Sequence, residues 1–157
     1  MSSNASSAQT SPIATDSARA QHLAWRQRYG PWALVTGASD GIGRAFATEL
    51  AARGLDLVLV ARREAQLIAF ADHLSVHHGV RCRVLALDLT DDDACARLDR
   101  DTADLDIGLV IAAAGFGSIG PFVDMALDEE TAMLRLNAEA VLALSHRFGR
   151  RLIARGR

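Results

Sequence analysis

The stretch Leu55 to Ala61, LDLVLVA, is apolar at nearly every position, and it constrains the fold more than any other part of the chain. A strand with one wet face alternates apolar and polar residues, whereas one covered on both faces reads as a continuous apolar run. Trp32 to Thr36 and Ile107 to Ala113 share that property, and Arg81 to Leu87 reads as a further strand. Helical spacing fills the intervals. One helix is predicted from about Ile42 to Arg53 with Gly54 behind it, and another from Arg63 to His78, carrying Leu67, Phe70, Ala71 and Leu74 on one face and closed by Gly79. A short helix is expected over Asp91 to Arg100 and a long one from roughly Asp128 towards Ile153. Strands alternating with helices, over connections too long for hairpins, predict an α/β fold with three layers around a parallel sheet. Right-handed crossovers and a reversal after the third strand give the strand order 3-2-1-4.

Ahead of the first strand, residues 1–14 are mostly Ser, Ala, Thr and Asn and read as a disordered tail. Residues 15–31 are expected to hold a helix capped by Asp16 or Ser17, running to about Tyr29 and ended by Gly30-Pro31. The chain of 157 residues suits one domain, and its formal charge of −2 gives no electrostatic case for nucleic acid. No apolar run is long enough for a membrane span, and no secretory signal pattern opens the chain. Cys82 and Cys95 read as thiols in a reducing compartment, which points to the cytoplasm. His73, His77 and His78 read as a surface helix end, so no metal is expected. All 17 Lys and Arg positions are arginine. No side-chain amine is therefore available to hold a substrate hydroxyl.

Between the first strand and its helix lies Thr36-Gly37-Ala38-Ser39-Asp40-Gly41-Ile42-Gly43. Gly37 permits a tight turn out of the strand, Gly41 a close backbone approach by a ligand, and Gly43 close packing of the following helix. The unpaired N–H groups of that helix start suit a pyrophosphate. At the end of the second strand, a carboxylate would accept from the ribose hydroxyls of NAD and repel a 2′-phosphate. The chain has Ala61-Arg62-Arg63 there, with no acid to oppose a phosphate. NADP is thus expected over NAD, although Asp40 adds a negative charge near the same end. Asp88-Leu89 after the third strand either meets the adenine amine or caps the next helix. The small residues Ala114 and Gly115 leave room for ribose and nicotinamide against the fourth strand. Phe116 and Phe122 read as packing in preference to a substrate mouth.

With these residues in place, the sequence resembles the short-chain dehydrogenase/reductase family over residues 32–157. TGASDGIG at 36–43 is similar to its TGxxxGxG turn, LVARR at 59–63 to the NADP-preferring second strand, and AAAG at 112–115 to its NNAG. Ala112 and Ala113 stand where the family carries two asparagines, which puts a hydrogen bond supporting the fourth strand in doubt. The resemblance implies a Rossmann-type fold, a cofactor site of Gly37, Ser39, Asp40, Gly41, Ile42, Gly43, Arg62, Arg63, Asp88, Leu89, Ala113, Ala114 and Gly115, and a proton-relay role for Asn137. Read without the family, Asn137 is merely a solvent-facing polar residue in a helix.

The family's catalytic serine and YxxxK pair find no counterpart, because Tyr29 precedes the first strand. The expectation is therefore a truncated, partial dinucleotide-binding domain: the cofactor-binding half of an NADP-dependent oxidoreductase, not catalytic as given. A carbonyl or alcohol substrate and a homo-oligomer follow from the resemblance. The alternative is a non-catalytic dinucleotide-binding or protein-interaction module. In the order 3-2-1-4 the fourth strand is an edge, expected to be covered by a partner chain or by the N-terminal helix.

Overall fold

A computed structural model describes residues 16–156; the tail reading for residues 1–14 lies outside them. Four strands, β1 (Trp32–Thr36), β2 (Asp56–Ala61), β3 (Cys82–Ala86) and β4 (Ile107–Ala112), form one parallel sheet in the order β3-β2-β1-β4. The helices are α1 (Asp16–Tyr29), α2 (Gly41–Ala52), α3 (Glu64–His78), α4 (Ala94–Asp101), α5 (Leu127–Leu134) and α6 (Ala140–Arg155).

Two-sided burial explains the apolar runs. Along β1, Trp32 and Leu34 face one layer while Ala33 and Val35 face the other, and every residue of the strand is buried. The first layer takes Leu34, Val58 and Val60 against Ala94, Cys95 and Leu98 of α4 and Leu144 and Phe148 of α6. The second takes Val35, Leu57 and Leu59 against Ala47 and Leu50 of α2 and Leu67, Phe70 and Leu74 of α3. At about 25 cal/mol per Å² of apolar surface removed from water, this double packing is the main favourable contribution to folding.

Most element boundaries fall within about one residue of the sequence expectation, and three departures have a visible cause. Helix α4 starts at Ala94, not Asp91, because residues 91–93 form a turn in which Asp91 N–H donates to Asp88 O and Ala94 N–H to Asp91 O. Strand β4 ends at Ala112, where the following amides turn towards Thr36. The long last helix is three pieces: α5, a π-helical turn over Arg135–Glu139, and α6. A π turn holds one more residue than the α-helical ladder allows and recurs at functional positions. Cys82 is half-buried and Cys95 buried, both as free thiols.

The end of the sheet where the strands start is tied together by charge. Asp56, 3% exposed, accepts from Arg81 N at 2.9 Å, Nε at 3.2 Å and Nη2 at 2.8 Å. Arg26 of α1 donates to the same carboxylate at 3.2 Å and to Gly54 O at 2.6 Å, and the Arg53 guanidinium lies 4.3 Å from the Trp25 ring centre. Helix α1 therefore spans from Gly108 at the start of β4 to the turn before β2, and its Trp25 and Tyr29 pack on the same core layer as Leu109 and Ile111. It covers part of that layer without adding a strand, and among the described residues no strand lies beyond β4.

Burial works against ionisation of Asp56, but the hydrogen bonds from Arg81 and the charges of Arg26 and Arg81 outweigh it, holding the carboxyl below its ordinary value of 3.8. A depressed folded pKa contributes stability that is present above the unfolded value and is lost as pH falls through the folded one. Thermal melts should therefore show a Tm that drops as pH is lowered through that region. Asp56→Asn should lower stability at neutral pH by about 1–3 kcal/mol and flatten the acid limb; an unchanged acid limb would show that Asp56 does not carry it.

Candidate nucleotide-binding site

At the opposite end of the sheet, where the strands finish, Gly37 leaves β1 with φ +66°. A β-carbon on Gly37 would lie 2.7 Å from Ala113 O, and one on Gly43 would collide with Gly37 O and lie 2.8 Å from Thr36 O. The turn thus presses against both the exit of β4 and the start of α2. Gly41, at φ +53°, has open space where its β-carbon would stand. The first amides of α2 have no carbonyl a turn earlier to bond, which leaves them to a cap or a ligand. Asp40 supplies one cap: its Oδ1 accepts from Gly41 N–H at 2.7 Å.

The residue that sequence reasoning passed over is Thr36. Its Oγ1 accepts from Ala113 N–H and Ala114 N–H at 3.1 Å each and donates to Ile111 O at 3.5 Å. This supplies a support for the end of β4 although Ala112 and Ala113 carry no amide side chain. A buried hydroxyl closing an apolar strand was the available signal, since such a group must find partners.

Asn137 sits inside the π turn, and its side chain is not idle. Its Nδ2 donates to Phe116 O at 2.8 Å and its Oδ1 accepts from Phe116 N–H at 3.2 Å. A β-carbon on Gly115 would lie 2.9 Å from that same Oδ1, so the loop after β4 is small where the amide grips it. Asn137 is exposed but paired, which corrects the reading of a merely solvent-facing residue. Further along the loop Ser118 Oγ donates to Glu130 Oε1 at 2.6 Å. Phe116 and Phe122 are 38% and 75% exposed, so the expectation that they pack is corrected as well.

Arg62 and Arg63 flank the same cleft, and neither lacks an acid. Arg62 lies 3.7 Å from Asp88 Oδ2 and Arg63 3.7 Å from Asp40 Oδ2, with Arg63 Nη2 also donating to Ser39 Oγ at 3.2 Å. These acids come from two other loops, so the strand-two sequence could not show them. Asp88 does not cap α4. Its Oδ1 accepts from Thr90 N–H at 3.0 Å and Thr90 Oγ1 at 2.8 Å. Burial opposes its ionisation, but these bonds and the Arg62 charge hold its pKa below the ordinary range.

Together these residues line a cleft of about 430 Å³ that contains Gly37, Ser39, Asp40, Gly41, Ile42, Arg62, Arg63, Asp88, Leu89, Ala113, Ala114 and Gly115. Every cofactor-site residue of the sequence reading except Gly43 lines it, and Gly43 is buried behind the turn. The arrangement fits a dinucleotide: helix-start amides and a glycine turn for phosphates, guanidinium groups at one end, and small residues along the β4 exit at the other. A larger depression of about 660 Å³ lies on the outer face of α6 beside Asp99. Its lining mixes Leu142 and Ala143 with His146, Arg147 and Arg150, and it has no glycine turn. Among the described residues no group of three or more His, Cys, Asp or Glu is gathered for a metal, and no helix is long and apolar enough to cross a membrane.

The sequence profile of the short chain dehydrogenase family matches residues 31–157. A 7beta-hydroxysteroid dehydrogenase of Clostridium sardiniense is 40% identical over 126 residues, which cover 79% of this chain and 48% of that protein. A solved 7beta-hydroxysteroid dehydrogenase structure superposes with a TM-score of 0.80 at 32% identity, over 84% of this chain and 51% of that one. A short-chain dehydrogenase from Sphingobium yanoikuyae, solved in complex with NADPH, gives 0.76 at 35% identity, over 80% and 50%. The chain spans about half the length of the curated relatives it matches.

Thr36→Val should cost about 1–3 kcal/mol by leaving two amides without their acceptor, while Thr36→Ser should retain most of the stability. Asn137→Ala should speed amide exchange at Phe116 and leave Leu57 and Leu59 protected. Unchanged exchange at Phe116 would show that the side-chain pair does not hold the loop.

Proposed function

This chain belongs to the short chain dehydrogenase family, and we propose that it is the cofactor-binding half of an NADP-dependent oxidoreductase acting on a carbonyl or alcohol. The observation that carries the NADP preference is the meeting of Arg63, Ser39 and Arg62 at one end of the cleft. Guanidinium groups and a hydroxyl suit a 2′-phosphate. Arg62 and Arg63 are more than half exposed at the side chain and their acids stand 3.7 Å away, so both can be drawn to a more highly charged ligand at small cost. The relative from Sphingobium yanoikuyae holding NADPH supports the same choice.

The bound cofactor would supply or accept the hydride. This chain's residues do the holding: the glycine turn and the start of α2 for the pyrophosphate, Asp88 and Leu89 beside the adenine, and the small residues Ala113 to Gly115 for the nicotinamide end. Asn137 positions that last segment through Phe116. Reduction of a carbonyl also needs a proton donor at its oxygen. Tyr29 ends α1 at the far end of the sheet, Ser118 is bonded to Glu130, and the chain has no lysine. On this reading residues 16–156 bind and orient the cofactor without turning a substrate over, and a homo-oligomer in the cytoplasm is the setting proposed for the whole protein.

Isothermal titration of the chain with both oxidised cofactors should give tighter binding of NADP+. Arg62→Ala or Arg63→Ala should weaken NADP+ roughly tenfold, the loss of a hydrogen bond to a charged group, and leave NAD+ nearly unchanged. Tighter binding of NAD+ by the unaltered chain would overturn the preference, and steady ketone turnover with NADPH would overturn the non-catalytic reading.

A further inference from the structure

We propose that Asp40 is an internal competitor for the phosphate of the cofactor, setting how tightly the site takes NADP relative to NAD. The inference rests on the cofactor reading above and concerns a residue whose charge is the wrong sign for that site. Asp40 Oδ1 accepts from Gly41 N–H at 2.7 Å, and Oδ2 lies 3.7 Å from Arg63 Nη2. One carboxylate thus caps a helix-start amide, a contact that Asn can keep, and faces the guanidinium that a 2′-phosphate would use. It lines the same cleft as Ser39, Arg62 and Arg63.

Two effects of that charge oppose each other. Asp40 orients Arg63 towards the glycine turn, which favours a phosphate there; it also repels the phosphate and shares its guanidinium partner. The orienting effect is the weaker. The side chains of Arg63 and Asp40 are 53% and 81% exposed, where an ion pair contributes little. Arg63 is in any case tied to the turn by Ser39 Oγ at 3.2 Å, a contact that survives loss of the Asp40 charge. The repulsion acts between a carboxylate and a phosphate carrying between one and two negative charges. At a few ångströms in a largely aqueous setting it corresponds to a roughly three- to tenfold loss of affinity. NAD, which has a hydroxyl in place of that phosphate, escapes most of the effect.

Asp40→Asn separates charge from shape, because the amide oxygen still caps Gly41 N–H and Asn is as good an N-cap as Asp. The variant should bind NADP+ roughly three- to tenfold more tightly than the unaltered chain at low salt, and NAD+ with an affinity changed by less than about twofold. The gain should shrink as salt screens the repulsion. Asp40→Glu, which keeps the charge, should stay close to the unaltered chain. Asp40→Ser, another good cap, repeats the test if the amide disturbs the turn. Equal or weaker NADP+ binding by the neutral variants overturns the inference, as does an equal gain for NAD+. An unaltered chain that prefers NAD+ overturns the NADP reading alone, since the ratio between variant and parent still decides the role of Asp40. No binding of either cofactor by parent or variants overturns both.

Discussion

Everything in this chain depends on the burial of β1 and β2 from both sides. A central strand without a polar face has to be covered by helices above and below, and parallel strands have to be linked by crossovers that supply those helices. Once Leu34, Val35, Val58 and Leu59 are placed, the loops that leave the strands gather at one end of the sheet. The cleft is the space those loops leave between them. Its residues come from the exits of all four strands, yet they meet because the core permits one sheet order.

The two ends of the sheet then divide the work. Where the strands start, Asp56 gathers Arg26 and Arg81, and Arg53 stacks on Trp25. Arg26 and Trp25 tie α1 to the body, and the Asp56 carboxylate is 3% exposed even though its arginine partners reach solvent. Where the strands finish, the charged pairs Arg62–Asp88 and Arg63–Asp40 are longer and more exposed. A short, buried pair resists rearrangement, whereas a long, wet pair exchanges partners readily. The same two residue types, Arg and Asp, therefore build a clasp at one end and a surface ready for a ligand at the other.

How far the sequence revealed this depended on how local each cause is. The strands, the order 3-2-1-4 and the glycine turn were legible because hydrophobic period and turn chemistry are written in adjacent residues. The charge of Asp40 near Arg63 was legible from the glycine turn, but the pairing of Arg62 with Asp88 was not, because Asp88 reaches it only through the fold. The grip of Asn137 on Phe116 was hidden for the same reason. Helix α4 starts later than its sequence pattern implies, because the backbone at 91–93 closes a turn first. Nothing in the sequence RLNAE marks a π turn, since the extra residue changes the ladder and not the composition.

That extra residue sets a phase. An α-helix advances about 100° per residue, so one residue accommodated at Arg135–Glu139 offsets everything after it by that angle. Downstream of the turn, Leu144 and Phe148 point into the sheet; within it, Asn137 points at the loop after β4. A straight helix of the same composition could satisfy one demand or the other. The turn works as a mechanical coupling that lets a single rod serve the core along one stretch and the ligand end along another. A one-residue deletion there would therefore close the turn into a regular α-helix, keeping α6 on its packing face while removing the wide turn that carries Asn137.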